Sequence, residues 1–164
     1  MISTVEFDGE LYPQFQAEGN GSQFAIPFAK KVCVGEGYDI GYSRVDWKLP
    51  GAIGIDLKDS TPYDAMNLPE YEVDYIYSSH TLEHLVDWVK ALEYWSTKIK
   101  RGGVLFLYLP HRDQKYWHPW NDRRHLHLLD AESIEECLIK FGFSNIFYSE
   151  RDLNHSFIIM AQKK

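Results

Sequence analysis

Cysteine is scarce in this chain. Only Cys33 and Cys137 occur, far apart and without a CxxC, so neither a disulfide framework nor a thiolate metal site is indicated. No apolar run approaches the roughly 20 residues that a membrane-spanning helix needs. The opening "MISTVEFDGELYPQF" lacks the basic-then-apolar layout of a secretory leader. Basic charge is in deficit: 17 Lys and Arg stand against 24 Asp and Glu, a formal charge of −7. A binder that neutralises a phosphate backbone needs a basic face, so nucleic acid is not an expected partner. Internal repeats and low-complexity tracts are also missing. A reduced cytoplasm is the expected compartment, with no membrane association. What is present is 164 residues, 45% hydrophobic and 15% aromatic, enough for one domain with a proper core.

Residues 1–22 read as an irregular N-terminal arm. It either caps a bound ligand, with Tyr12 and Gln16 as contacts, or covers a sheet edge. Residues 23–164 read as a single domain. A short helix is expected from Gln23 to Val34, with Ser22 as N-cap. Strands follow at "GYDIG", "AIGID" and "EVDYIYSS". Leu85, Trp88, Leu92, Trp95 and Ile99, spaced 3, 4, 3, 4, predict a helix that "RGG" stops. "VLFLYL" is a continuous apolar run, suiting a strand covered on both faces. After a long loop, 110–129, Asp130 should cap a helix carrying Ile134, Leu138 and Phe141, and Gly142 should end it. "FSNIFYS" and "SFIIMAQ" close the domain as an antiparallel pair. The whole is an α/β fold with an open, mostly parallel sheet. Its ligand site belongs at the carboxyl ends of the strands, after Gly41, Asp56, Ser79 and Pro110.

Two glycine-bearing turns, "GEG" and "YDIGYS", compete for the ligand. Gly35 is best read as a helix C-cap and Gly37 as the turn into the strand. Gly41 instead falls at a strand end, where backbone must approach a ligand. Asp56, 17 residues after Asp39, ends the next strand, where an acid accepts from ribose hydroxyls. The series "YDIG…GAIGIDL…DAMNLPEYEVDYIYSSHTLEH…IKRGGVLFLYLPH" resembles the class I S-adenosylmethionine-dependent methyltransferases over residues 35–164. The resemblance implies a Rossmann-like methyltransferase sheet and S-adenosylmethionine as cofactor. It implies that Asp39 orients the glycine loop and that Gly41, Tyr42 and Ser43 approach the methionine end. Asp56 and Leu57 would flank the ribose, Asp64 and Ala65 the adenine, and Ser79 and His80 the reacting methyl. Tyr42 and Ser43 replace the Cys-glycine usual in that family. Only ten residues join the first two strands and sixteen separate Asp56 from the next, so the domain is shortened there. That shortening disfavours a dinucleotide, whose pyrophosphate needs a helix N-terminus directly after the glycine turn.

"HTLEH" (80–84) spells a zinc-peptidase pattern, H-x-x-E-H. It lacks an evident third ligand, and the same letters suit the first turn after a methyltransferase strand, so no metal is expected. The loop 111–127 gathers four of seven histidines, two of five tryptophans and three arginines. It is either a solvated crossover or an acceptor site. In the second case Trp117 and Trp120 offer flat apolar faces, and Arg112, Arg123 and Arg124 grip a phosphate or carboxylate. A base for a hydroxyl proton would be His111 first, then His80 and His125. The expected activity is methyl transfer to a small-molecule or saccharide-type acceptor, on oxygen rather than nitrogen. The alternative is a degenerate cofactor-binding or interaction module without catalysis. A truncated sheet edge could pair with a second copy as a homodimer.

Overall fold

The computed structural model describes residues 2–164, so the first residue of the N-terminal arm lies outside it. The arm is not irregular. Strands β1 (Thr4–Phe7) and β2 (Glu10–Pro13) form an antiparallel hairpin, and a one-turn helix α1 (Gln14–Ala17) follows. Asp8 and Gly9 both take positive φ at the hairpin tip. A two-residue Asp-Gly loop matches strand twist in this way.

Helix α2 (Ser22–Val32) starts one residue earlier than expected, so Ser22 is its first residue and Gly21 its cap. Gly35 takes a φ of +98°, fitting its expected place after the helix. Strand β3 (Gly37–Ile40) then pairs in parallel with β4 (Ile53–Ile55) and β5 (Val73–Ser79). Helix α3 is shorter than the apolar stripe suggested. It runs Trp88–Ser96 and is capped by Asp87, whose carboxylate accepts from Lys90 N. Ile99 already belongs to β6 (Ile99–Pro110), and Arg101-Gly102-Gly103 is an irregular stretch within that strand rather than a helix stop. The stripe misleads because Leu85 and Ile99 point into the same core from non-helical backbone.

Helix α4 (Ala131–Lys140) begins where Asp130 accepts from Ser133 N and ends before Gly142, at φ +84°. Strands β7 (Phe143–Tyr148) and β8 (Ser156–Lys163) complete the sheet, in the order β4-β3-β5-β6-β8-β7. The last strand thus inserts between β6 and β7, antiparallel to both.

Alternation along β5 and β6 divides the core. Tyr75, Tyr77, Phe106 and Tyr108 face α2, whose Ala25 and Ala29 allow close approach. Ile76, Leu105 and Leu107 face α3 and α4, with Trp95, Ile134 and Leu138 filling that layer. No separate helix or third parallel strand fits between β4 and β5. Residues 57–72 are instead irregular and pinned to α3. Trp95 Nε1 donates to Ala65 O (2.7 Å), and Tyr94 Oη accepts from Leu68 N (2.8 Å). No helix among the described residues is long and apolar enough to cross a membrane.

Candidate active site

The carboxyl ends of β3, β4 and β5 open on one side of the sheet, and two cavities meet there. A cleft of about 370 Å³ is lined by Asp39, Gly41 to Arg44, Ser79, His80, His84, Trp117, Arg124 and His125, with Ala17 to Gly19 as one wall. A second cavity of about 280 Å³ is lined by Ile40, Gly41, Ile55, Asp56, Leu57, Ala65, Thr81 and Leu85. Gly41, Ser43, His80 and His84 border both.

The loop 41–43 is built from left-handed backbone. Gly41 has φ +79°, and any side chain there would fall inside Thr81. Ser43 has φ +62°, a conformation that costs a non-glycine residue about 1 kcal/mol. Its amide donates to Asp56 Oδ2 (3.0 Å), while Asp56 Oδ1 accepts from Lys58 N (3.0 Å). Asp56 therefore joins the end of β4 to the glycine loop. Tyr42 donates to Asp59 (2.6 Å), the bond that chiefly drives its hydroxyl pKa up to about 12, and its ring covers Gly54.

Asp39 does not hold the glycine loop, as the resemblance implied. It is buried and accepts from Leu49 N (2.6 Å), tying down the short link to β4. Burial pushes its carboxyl up to about 7, against the lowering effect of that amide. The hydroxyls of Tyr77 and Ser79 are buried without a hydrogen-bond partner among the described residues, and both line the cleft.

A histidine cluster forms one wall of the cleft. Three bonds lay residues 124–127 along 83–85: His84 Nδ1 to Arg124 O (2.7 Å), Leu126 N to Glu83 O (2.9 Å) and His127 Nε2 to Leu85 O (2.9 Å). They set His125 against Glu83, and Trp117 stacks on the His125 ring at 5.2 Å. Glu83 is fully buried, and neither carboxylate oxygen has a hydrogen bond among the described residues. Oε1 lies 3.7 Å from His80 Nδ1, 3.9 Å from His84 Nε2 and 4.0 Å from His125 Nδ1. Burial pushes the Glu83 carboxyl up to about 8 and lowers His80 to about 3 and His125 to about 4; it also lowers His84. The imidazoles are therefore neutral at neutral pH.

Of the expected acceptor and base residues, the structure gathers His80, His125, Trp117 and Arg124 at the cleft. It does not bring His111 there. His111 lies in a separate recess with Arg112, Leu129 and Phe157, where its Nδ1 accepts from Asp113 N (3.2 Å). The reason is that β6 ends on the far side of β5 from Gly41, next to the β7–β8 turn. Trp120 is exposed and packs edge-on to His118, away from the cleft. Arg123 is exposed with no ion pair among the described residues, and Arg124 is already bound to Asp122 (2.6 Å). Asp64 turns on itself, its side chain accepting from Met66 N (2.7 Å), whereas Ala65 and Leu57 border the second cavity.

Tyr12 and Gln16 do not reach a ligand site. Tyr12 accepts from Lys115 N (2.9 Å) and Gln16 from Asn154 Nδ2 (3.1 Å), so both fasten the hairpin to the molecule. Sequence reasoning passed over Lys58 and His84. Lys58 Nζ reaches Ser43 Oγ (3.2 Å) at the cleft rim. His84, adjacent to Glu83 in the chain, shows its place in the cluster only through the long-range contact with Arg124 O.

A family model described as a methyltransferase domain matches residues 18–147. The fold is similar to a Thermotoga maritima protein described as an S-adenosylmethionine-dependent methyltransferase, possible histamine N-methyltransferase. That likeness has a TM-score of 0.72 and 17% identity, over 92% of this chain and 93% of that one. An Archaeoglobus fulgidus S-adenosylmethionine-dependent methyltransferase is similar at 0.65 and 16%, over 92% and 98%. The N-methyltransferase NodS of Bradyrhizobium japonicum, solved with S-adenosylhomocysteine, is similar at 0.62 and 15%, over 91% and 87%. No curated protein is similar enough to this chain to count as a match.

Proposed function

The chain belongs to the methyltransferase-domain family, the class I S-adenosylmethionine-dependent methyltransferases, and from that premise we propose that it methylates a hydroxyl oxygen of a small-molecule or saccharide-type acceptor held in the cleft. The residues fit the cofactor. An acid at the end of β4 and an aliphatic slot between Leu57 and Ala65 suit an adenosine. Beyond Gly41, the unpartnered hydroxyls of Tyr77 and Ser79 await polar groups such as those of the methionine end. When bound, the cofactor supplies a methyl group activated by a positive sulfur.

The observation that carries an oxygen target is the histidine cluster, His80, His84 and His125, lining the cleft beside the Gly41 loop. A hydroxyl must give up its proton as it attacks, and an imidazole beside it can relay that proton, although burial makes His80 and His125 weaker bases than a free histidine. Held beside Asp56 and the Gly41 loop, the cofactor would supply that methyl group and its sulfur would keep the electron pair released. The chain's other contribution is placement, because holding the two reactants in line removes much of the barrier. Trp117, stacked on His125, and the wall at Ala17 to Gly19, where α1 ends, narrow the cleft on the acceptor side.

Incubation with carbon-13 methyl-labelled cofactor and a panel of hydroxylated and amino acceptors tests this reading. A product resonance typical of an O-methyl group is expected, with turnover falling about 100-fold in His125→Ala. Cofactor binding, followed by calorimetry, should weaken at least tenfold in Asp56→Ala, or about 1.4 kcal/mol. A purely N-methylated product overturns the oxygen assignment. Absence of cofactor binding by the unmodified chain overturns the whole proposal.

A further inference from the structure

We infer that Glu83, His84 and His125 form a binding site for a divalent first-row transition metal ion in the wall of the cleft. Oε1 of Glu83 and one ring nitrogen of each histidine lie within 4.8 Å of one another. Ligands bound tetrahedrally at about 2.1 Å stand roughly 3.4 Å apart, so a small inward movement closes the set around an ion. At 3.9 and 4.0 Å from Glu83 the imidazoles are too distant for hydrogen bonds, and neither carboxylate oxygen has another partner among the described residues.

The hydrogen bonds around the cluster fix which nitrogens carry lone pairs. His84 Nδ1 faces the carbonyl of Arg124 and must carry the proton, which leaves Nε2 free toward Glu83. Ligating histidines commonly give their second N–H to a backbone carbonyl in this way. Ser156 Oγ gives its own proton to Asn154 O, so it accepts from His80 Nε2, and the His80 Nδ1 lone pair also turns to Glu83. His125 Nδ1 is buried with no partner among the described residues. Basic lone pairs and an orphan carboxylate thus converge on one point. Two imidazoles and one carboxylate suit zinc or iron(II) and leave coordination positions open. The ionised form of a carboxyl buried as Glu83 is needs a cation beside it, and a dication held at this point would supply one.

The set differs from the zinc-peptidase reading of "HTLEH": it uses Glu83 and His84 but not His80, and its third ligand comes from the loop at 125, carried there by the three bonds that lay 124–127 along 83–85. His84 and His125 both line the cleft, so an ion held by them would border the space proposed for the acceptor. With the ion bound, His84 and His125 would serve as its ligands in place of relaying the proton, and a hydroxyl seated on the ion would be more acidic and lose its proton to solvent at the mouth of the cleft. That role rests on the methyl-transfer reading above, whereas the binding of the ion does not.

The metal-stripped chain, titrated with cobalt(II) alone, should bind one equivalent with visible d–d absorption that zinc(II) displaces. His84→Ala and His125→Ala should each weaken binding 10- to 100-fold. His84 is partly exposed, so its variant should fold; circular dichroism checks this. Asp56→Ala should keep the cobalt spectrum while losing the cofactor. Cobalt bound without methyl transfer would leave the ion and discard the reaction; transfer at full rate after metal stripping, with no cobalt bound, would do the reverse. Failure of the unmodified chain to bind cobalt saturably overturns the inference, as does equal affinity in the folded His84→Ala variant.

Discussion

At the scale of single residues, the site holds two strained features. Asp39 keeps its proton up to about pH 7 because burial penalises the charge, whereas a free aspartate loses it near 3.8. Below that lower value folded and unfolded chains are both protonated. Between the two, only the folded chain still holds the proton, so stability falls as pH rises and levels off above about 7. At about 1.36 kcal/mol per unit, the loss is roughly 4 kcal/mol. Urea titrations of Asp39→Asn and the unmodified chain from pH 4 to 8 should diverge over that window, the variant gaining ground as pH rises. Identical slopes would show that Asp39 ionises normally. The other feature is Ser43, whose φ of +62° is one that glycine adopts freely. Ser43→Gly should relieve about 1 kcal/mol of backbone strain, partly offset by the freer unfolded chain. It should keep the amide bond to Asp56. The expected thermal midpoint is unchanged or slightly higher, with cofactor affinity retained within about threefold, near 0.6 kcal/mol.

At the scale of elements, the irregular segment 57–72 does the work of a strand and its flanking helices by leaning on α3. Trp95→Phe would leave Ala65 O without its indole donor and open a small void, at about 2 kcal/mol. The loss should appear in denaturant unfolding together with weaker cofactor binding, since Ala65 borders the cavity proposed to take the adenosine. Much of this architecture was legible in the sequence. The strand at "GYDIG", the acid at 56, the cap at Asp130 and the terminal strand pair lie where local pattern put them. Two elements were misread. The Asp8-Gly9 turn is a strong hairpin signal that the scattered aromatics of the arm obscured. The end of α3 was misplaced because period alone cannot tell a helix from a strand entering the same core.

At the scale of the molecule, the site was only half legible. Residues fixed by short-range geometry, such as Gly41, Asp56, Ser79 and His80, lie at the expected strand ends. The residues of the long loop did not sort themselves by sequence. His111 and His125 look equivalent in the chain, yet β6 carries one to the recess near β7 while the strap at 124–127 carries the other to Glu83. Such placement depends on contacts some 40 residues apart. Helical or strand periodicity does not encode it.

The insertion of β8 between β6 and β7 also bears on how the molecule comes into being on the ribosome. Until residues 156–163 emerge from the exit tunnel, the outer edge of β6 has no partner, and its row of amides stands open to any passing strand. Gln16 and Asn154, 138 residues apart, likewise cannot meet until residue 154 has emerged. The sheet beside β6 is therefore completed only once residues 156–163 are available, and a chain arrested before them should be a client of chaperones.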